Sequence, residues 1–301
     1  MNNIDSQSLT MIVPVYNGKL FIDSFFEPID TFSPDWEILF VDNGSTDGTF
    51  DELVNISRSK NNIKVIKYSD KKSSYAARNE GVRNASGNAF LFTDIDCILT
   101  KSYFESVSQL DFTNQNLIYT GPTEIFFRLN NIYEFFDKAA YLQQENYASA
   151  GYAATANLVV SKSLYDIAGG FPEFTSGADN KFCKRCFDAG DNVRINYVPN
   201  LKILHPARDS QAEHILKANR LGVGQAEFFM YDSKSLSSHI GFVVKNLVAI
   251  IFTPNIYRVY VRANSYKALN FFDRLKLMYV CWKMPCLQRI SMIKTFLFKK
   301  R

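Results

Sequence analysis

The stretch Ala89-Phe90-Leu91-Phe92-Thr93-Asp94-Ile95-Asp96 constrains this chain more than any other. A strand-sized apolar run, partly aromatic, ends in two carboxylates one residue apart. Burying Asp94 or Asp96 inside a sheet is costly, so the strand ends where they begin. The pair then lies at the carboxyl edge of a parallel sheet, where open α/β folds hold their ligands. Two oxygen ligands this close suit a hard divalent cation with phosphate bound to it. Taken alone, the same residues also read as a surface turn with two solvated acids.

The flanking chain decides between those readings. Thr10 to Val15 is a short apolar strand, with Pro14 tolerable near its end. Lys19 to Pro28 reads as a helix, and Trp36 to Val41 as a second strand. That strand runs into Asp42-Asn43-Gly44-Ser45-Thr46-Asp47-Gly48-Thr49, whose Asn-Gly and Asp-Gly pairs form turns. Thr46 or Asp47 is placed to cap a helix over 49–59. A strand at Lys64–Tyr68 and a helix at Ser73–Asn84 precede the Ala89 strand. A helix from Thr100 to about Leu110 and a strand at Leu117–Thr120 follow it. Strands alternating with helical crossovers of roughly 20 residues imply a doubly wound parallel sheet. The second and fourth strands each end in a polar cluster with an Asp, so Asp42 and Asp94 are expected at adjacent strand ends. No G-x-G-x-x-G follows the first strand and no G-x-x-x-x-G-K-[ST] occurs, which excludes the common dinucleotide and P-loop fingerprints. Gly222-Val223-Gly224 follows a helical stretch and is not that fingerprint.

Further on, Asn130 to Asn146 reads as helical and Gly151 to Lys162 as a small-residue strand. A short helix at Ser163–Ala168 is closed by Gly169-Gly170. A loop over 171–179 leads to a helix at Asn180–Ala189, with Asp179 at its mouth, where free backbone N–H groups favour a carboxylate. A strand at Val193–Val198 leads to His205-Pro206-Ala207-Arg208, and Gln211 to Tyr231 reads as a long helix.

In order and spacing these segments resemble the inverting glycosyltransferases of family 2. The residues that carry the likeness are V-P-V-Y-N at 13–17, V-D-N-G-S-T-D-G-T at 41–49, A-R-N-E-G at 77–81 and T-D-I-D at 93–96. They continue with T-A-N-L-V-V-S-K at 155–162, G-G-F-P-E at 169–173, the Asp179 region and H-P-A-R at 205–208. The resemblance covers about 8–210 and implies an α/β fold of GT-A type, a mostly parallel nucleotide-binding sheet flanked by helices. It implies a nucleotide-sugar half at about 8–120 and an acceptor half at about 121–235, while the charge distribution sets apart a basic, apolar helical tail at 236–301. By the same resemblance the donor is a nucleoside-diphosphate sugar, UDP- or dTDP-linked. Asp42 reads a pyrimidine base, Arg78 flanks base or phosphates, and Pro14, Tyr16 and Asn17 shape the nucleotide wall. Asp96 holds Mn2+ or Mg2+ against the diphosphate, with Asp94 reaching the ribose or metal-bound water and His205 approaching the metal. Asp179 is the general base for an acceptor hydroxyl. Each residue also has a plain reading: an Asx turn for Asp42, a surface charge for Arg78, a core residue for Tyr16, a solvated histidine for His205, a helix cap for Asp179. One departure stands out. The family usually carries Glu-Asp where this chain has Ala178-Asp179, so the second carboxylate is kept and the first is lost.

Composition sets the remaining bounds. At 301 residues and 47% hydrophobic, with 26 Phe and 16 Tyr, the chain can bury a large core. The first ten residues carry no basic region and no apolar core of their own, so no secretory signal is expected there and the protein is expected in the cytoplasm. Five widely spaced cysteines are no secreted disulfide framework. Cys183 and Cys186 lie three apart on an expected helix, where both can face a core. Charge is uneven. Residues 236–301 hold twelve Lys/Arg and one acid, Asp273, whereas 1–235 hold 22 basic and 29 acidic side chains. A basic, apolar tail on an acidic body predicts a polyanionic partner. Ile240 to Ile256 is too interrupted for a membrane span. Phe271 to Arg301 suits a helix lying on an anionic membrane, at the inner face of the cell membrane. The plain reading is a pair of helices packed on the body, and nucleic acid is the weaker partner because no binding module accompanies the charge. The acceptor is then a glycan or lipid-linked hydroxyl. Two other functions fit paired carboxylates. A nucleotidyltransferase would normally show a basic Gly-rich loop near the start, which is missing, and Ala178 keeps open an inactive nucleotide-sugar-binding module.

Overall fold

The computed structural model describes residues 9–32, 34–112, 114–232, 235–251 and 256–298. The expectations for the first eight residues, and for Thr253, Pro254 and Asn255, lie outside that set. The chain divides into two units. The first comprises Met1–Glu124, Gln143–Glu173 and Asp179–His205, the second Ile125–Leu142, Phe174–Ala178 and Pro206–Arg301.

The first unit is built on β1 (Leu9–Val15), α1 (Ile22–Phe32), β2 (Glu37–Asp42), α2 (Thr49–Ser57), β3 (Ile63–Lys67), α3 (Ser74–Asn84) and β4 (Ala89–Phe92). Then come β5 (Ile98–Leu99), α4 (Lys101–Val107), β6 (Leu117–Thr120) and β7 (Thr123–Phe126), the last running on into the second unit. That unit carries α5 (Ile132–Ala140), after which α6 (Gln144–Ser149), β8 (Leu158–Ser161) and α7 (Lys162–Ile167) return to the first. After Gly169 and Gly170, both at positive φ, come α8 (Ala178–Ala189), β9 (Arg194–Tyr197) and β10 (Ile203–Pro206). The sheet has seven strands in the order β3-β2-β1-β4-β8-β6-β9. β1 pairs parallel with β2 and β4, β2 with β3 and β6 with β9, whereas β8 runs antiparallel to both β4 and β6. The expected mostly parallel α/β architecture is present. The fully buried β4 and the nearly fully buried β1 show why these strands read as continuous apolar runs: helices cover both faces.

Several local expectations change. The second and fourth strands are not neighbours, because β1 lies between them: Val15 partners Asp42 on one side and Ile12 partners Phe92 on the other. Both Asp42 and Asp94 still leave the same edge. The N-cap of α2 is Gly48 at φ 88, with Asp47 accepting the Thr49 backbone N–H at 3.1 Å. The helix expected over 130–146 breaks, since Leu142 adopts φ 52 between α5 and α6. The strand expected over 151–162 shortens to β8 behind a 3-10 turn at Thr155–Asn157. The short strands β5, β7 and β10 had no signal of their own. On α3, Gly81 is required by close packing: a Cβ there would lie 2.5 Å from Ile12 Cγ2 and 3.2 Å from Val41 Cγ2.

In the second unit α9 (Gln211–Asp232) is followed by α10 (Leu236–Ile251), α11 (Ile256–Asn264) and α12 (Phe271–Phe298). Their core joins Phe135, Phe136 and Ala139 of α5 to Ala263, Leu277, Val280, Cys281 and Met284. Residues beyond 235 therefore share a core with α5. Gly222 lets α9 and α12 touch, since a Cβ there would lie 2.2 Å from the Gln288 carbonyl oxygen. No single described helix is long and apolar enough to cross a membrane. The five cysteines are all buried and form no disulfide, and burial pushes the Cys186 thiol up to about 12, so Cys183 and Cys186 on α8 are core residues.

Candidate active site

The expected site residues Pro14, Tyr16, Asn17, Asp42, Arg78, Asp94, Asp96, Asp179 and His205 all fall in the first unit, whereas Ala178 belongs to the second. Asp42 ends β2 wholly buried. Its Oδ2 accepts the backbone N–H groups of Gly44 and Ser45, each at 3.1 Å, as in an Asx turn. Its Oδ1 is equally buried and has no hydrogen-bond partner. A buried charged acceptor left open costs free energy, and such a group calls for a donor from outside the chain. The loop after β1 is tied to this turn. Asn17, at φ 51, accepts the Thr46 N–H at 2.8 Å, and its own N–H reaches Ser45 Oγ at 2.9 Å. Pro14 is buried in β1, while Tyr16 is 56% exposed.

On the other side of β1, the turn after β4 carries Asp94 and Asp96. Arg78 of α3, only 2% exposed, forms an ion pair with Asp94 and stacks over Tyr75 at 5.4 Å. Asp96 Oδ2 lies 3.4 Å from His205 Nε2. Antiparallel pairing of β10 with β5 matches Ile203 to Leu99 and Leu204 to Ile98, which carries His205 back to this turn. Ligand atoms of Asp94, Asp96 and Cys97 all fall within 4.8 Å of one another. Burial, then the charges of Asp96 and Asp94, push the Cys97 thiol well above its ordinary range and keep it protonated. The donors suited to a hard cation are thus the two carboxylates with the His205 imidazole beside them, a set that fits Mn2+ or Mg2+.

Asp179 is the second residue of α8, inside its first turn rather than ahead of it. Burial raises its carboxyl above the ordinary aspartate range. Hydrogen bonds from the Asn180 and Thr155 backbones and the Tyr75 side chain, with the charge of Arg78, pull it only part of the way back. Tyr75 and Arg78 lie at i and i+3 on one face of α3. That face therefore reaches Asp179 through Tyr75 and Asp94 through Arg78. Asn79, the next residue, donates to the Phe171 carbonyl at 2.9 Å and accepts its N–H at 3.0 Å, which pins the G-G-F-P-E loop leading to Asp179. Sequence reasoning passed over Tyr75 and Asn79, although Asn79 stands in the quoted A-R-N-E-G. Ala178 is wholly buried, so a hydrophobic methyl stands where the resembling enzymes carry a first carboxylate.

The family model for glycosyl transferase family 2 matches residues 10–162. Glycosyltransferase AglE of Haloferax volcanii is 29% identical over 255 residues, 83% of each chain. Among solved structures, the mannosyltransferase PcManGT from Pyrobaculum calidifontis, in complex with GDP-Man and Mn2+, superposes with a TM-score of 0.59 at 17% identity, over 98% of this chain and 88% of that one. S. aureus TarS 1-349 in complex with UDP-GlcNAc gives 0.52 at 16% identity, over 96% and 89%. At these identities the likeness is one of fold, the GT-A fold.

Proposed function

The chain belongs to glycosyl transferase family 2 and is a glycosyltransferase, and from that premise we propose that it moves a sugar, with inversion, from a UDP- or dTDP-linked donor to a hydroxyl of a glycan or lipid-linked acceptor at the inner face of the cell membrane. One observation carries the reading: a single face of α3 connects the raised Asp179 carboxylate to the Asp94–Asp96 turn through Tyr75 and Arg78. A general base and electrostatic groups with separated tasks and linked positions are what a single displacement needs.

Asp179 takes the proton from the acceptor hydroxyl as that oxygen bonds to the anomeric carbon. The bond from that carbon to the diphosphate oxygen breaks with its electron pair, so an α-linked donor gives a β-linkage and a free nucleoside diphosphate. Asp96, Asp94 and His205 would hold Mn2+ or Mg2+, which supplies charge neutralisation for the departing diphosphate. Arg78 holds Asp94 in place and adds positive charge to the site. Asp42 Oδ1 accepts a ring N–H of the base. Uracil and thymine offer that donor, guanine does also, and cytosine and adenine do not, which orders the donors to be tried. Asn17, Tyr16 and Pro14 form the wall beside it.

The test is a panel of UDP-, dTDP-, GDP-, CDP- and ADP-sugars with Mn2+ and membrane extract. Release of free nucleoside diphosphate from the uridine or thymidine donors is the expected result. Pyrophosphate released when a nucleoside triphosphate and a sugar 1-phosphate replace the sugar nucleotide would instead mark a nucleotidyltransferase, and binding without release would mark an inactive module, the reading that Ala178 keeps open.

A further inference from the structure

α12 is apolar on two opposite faces, and along 271–282 only one of them is buried in the protein. Leu277, Val280, Cys281 and Met284, spaced i, i+3, i+4, i+7, are buried in the core shared with α5 and Ala263. Phe271, Phe272, Leu275, Met278, Tyr279 and Trp282, spaced i, i+1, i+4, i+7, i+8, i+11, form a second stripe that is exposed, from 72% at Phe272 to 45% at Trp282. By helical spacing Arg274 borders this stripe on one side, and Lys276 and Lys283 border it on the other. The single acid of the region, Asp273, is taken up in the helix cap with Asn270. α10 repeats the theme with exposed Ile240, Val244, Leu247, Val248 and Ile251. Exposed apolar faces of this size mark a binding surface.

We propose that the 271–282 stripe of α12 seats on an anionic lipid bilayer, with its aromatic and aliphatic side chains in the interface and Arg274, Lys276 and Lys283 on the headgroups. The inference deepens the membrane-side acceptor reading above, yet it stands on the surface of this helix alone. Charge selects the occupant. Across 236–301 twelve cations face one acid, which complements anionic headgroups. A second copy docked stripe to stripe would set the same cations against each other. Nucleic acid would satisfy the cations and leave six large apolar side chains in water. Tyr279 and Trp282, with ring centroids 6.1 Å apart, supply the amphipathic rings that favour the headgroup level. The helix lies on the surface rather than crossing it, since its other face is committed to the protein core.

The chain has two tryptophans, Trp36 and Trp282, so Trp36→Phe makes Trp282 the sole emitter. Full-length protein is titrated with phosphatidylglycerol/phosphatidylcholine vesicles. Trp282 emission should move to shorter wavelength and be quenched by brominated lipid, with affinity falling as salt rises. Replacing Arg274, Lys276 and Lys283 together by Gln should weaken binding about 100-fold. Phe271→Ser with Phe272→Ser, both exposed and outside the core, should abolish the emission shift. No shift on anionic vesicles, equal binding to pure phosphatidylcholine, or a lipid-free dimer that already shields Trp282 would each overturn the proposal. Nucleoside diphosphate release is scored separately. A chain that transfers sugar but ignores vesicles loses this surface and keeps its reaction, and one that binds vesicles without transfer does the reverse.

Discussion

Asp42 and Asp94 stand at equivalent places, each at or just past the carboxyl end of a strand beside β1, and the chain treats them differently. Asp42 is met only by backbone N–H groups, which satisfy one oxygen and leave the other buried and open. Asp94 is met by a buried guanidinium, and Asp96 next to it by an imidazole. One side of β1 thus presents a fixed, neutral-surrounded acceptor, suited to recognising a base. The other presents carboxylates held by a guanidinium and an imidazole, suited to gathering a cation and a diphosphate. In the proposed reading the same fold edge serves recognition and chemistry, because α3 links the second side to Asp179 through Arg78 and Tyr75.

That contrast predicts a ranking of effects. Asp96→Ala should weaken donor binding in the presence of Mn2+ by about 100-fold, read by calorimetry, because it removes a cation ligand and leaves His205 beside an empty position. Asp42→Asn should raise the KM for uridine donors about 10- to 100-fold with kcat less affected. Its amide oxygen can still serve Gly44 and Ser45 while its NH2 opposes the base N–H. It should also narrow the gap to CDP-sugars, whose ring nitrogen accepts. Equal losses for every donor would erase the distinction between the two sides. Gly81→Ala, which wedges α3 off Ile12 and Val41, should cost about 1–3 kcal/mol in thermal unfolding and disturb both sides together.

The smallest effect belongs to Glu37, at the opposite end of β2. Burial works against its charge, but hydrogen bonds from Lys64, Ser86 and Thr10 overcome this and hold its carboxyl at about 2 against an ordinary 4.5. A depressed carboxyl stabilises the fold above its unfolded pKa, and that contribution fades as pH falls from about 4.5 toward 2. Glu37→Gln should therefore cost about 1 kcal/mol at pH 7 and almost nothing at pH 2, with donor selectivity unchanged.

Strands β1 to β4 and the helices between them were legible because burial on both faces writes apolar runs, and turns write Asn-Gly and Asp-Gly. Strand direction was not. β8 is as apolar as its neighbours, and nothing local says that it runs antiparallel between β4 and β6. The placing of Asp42 and Asp94 at one sheet edge was legible, but β1 between them was not, since strand order is a long-range property. The joining of Asp179 to that edge depends on Tyr75, Arg78 and Asn79 acting from one helix face, and their tasks appear only when Phe171, Asp94 and Asp179 are in place. The tail showed its charge in composition. That α12 spends one apolar face on a core with α5 and leaves the other exposed required the packing itself. Cutting the chain before 236 would strip that core, so the tail is better probed by exposed substitutions than by truncation.

The central claim is that Asp179 is the base of a site otherwise built by Asp96, Asp94 and Arg78. Asp179→Asn measures it directly, through donor affinity by calorimetry and sugar transfer by nucleoside diphosphate release across pH. Donor affinity should stay within a few-fold of the parent while transfer falls about 10²- to 10⁴-fold. The acid limb of the parent profile, displaced upward from the ordinary aspartate range because burial raises this carboxyl, should vanish in the variant. Transfer at near the parental rate, with that limb intact, would contradict the account.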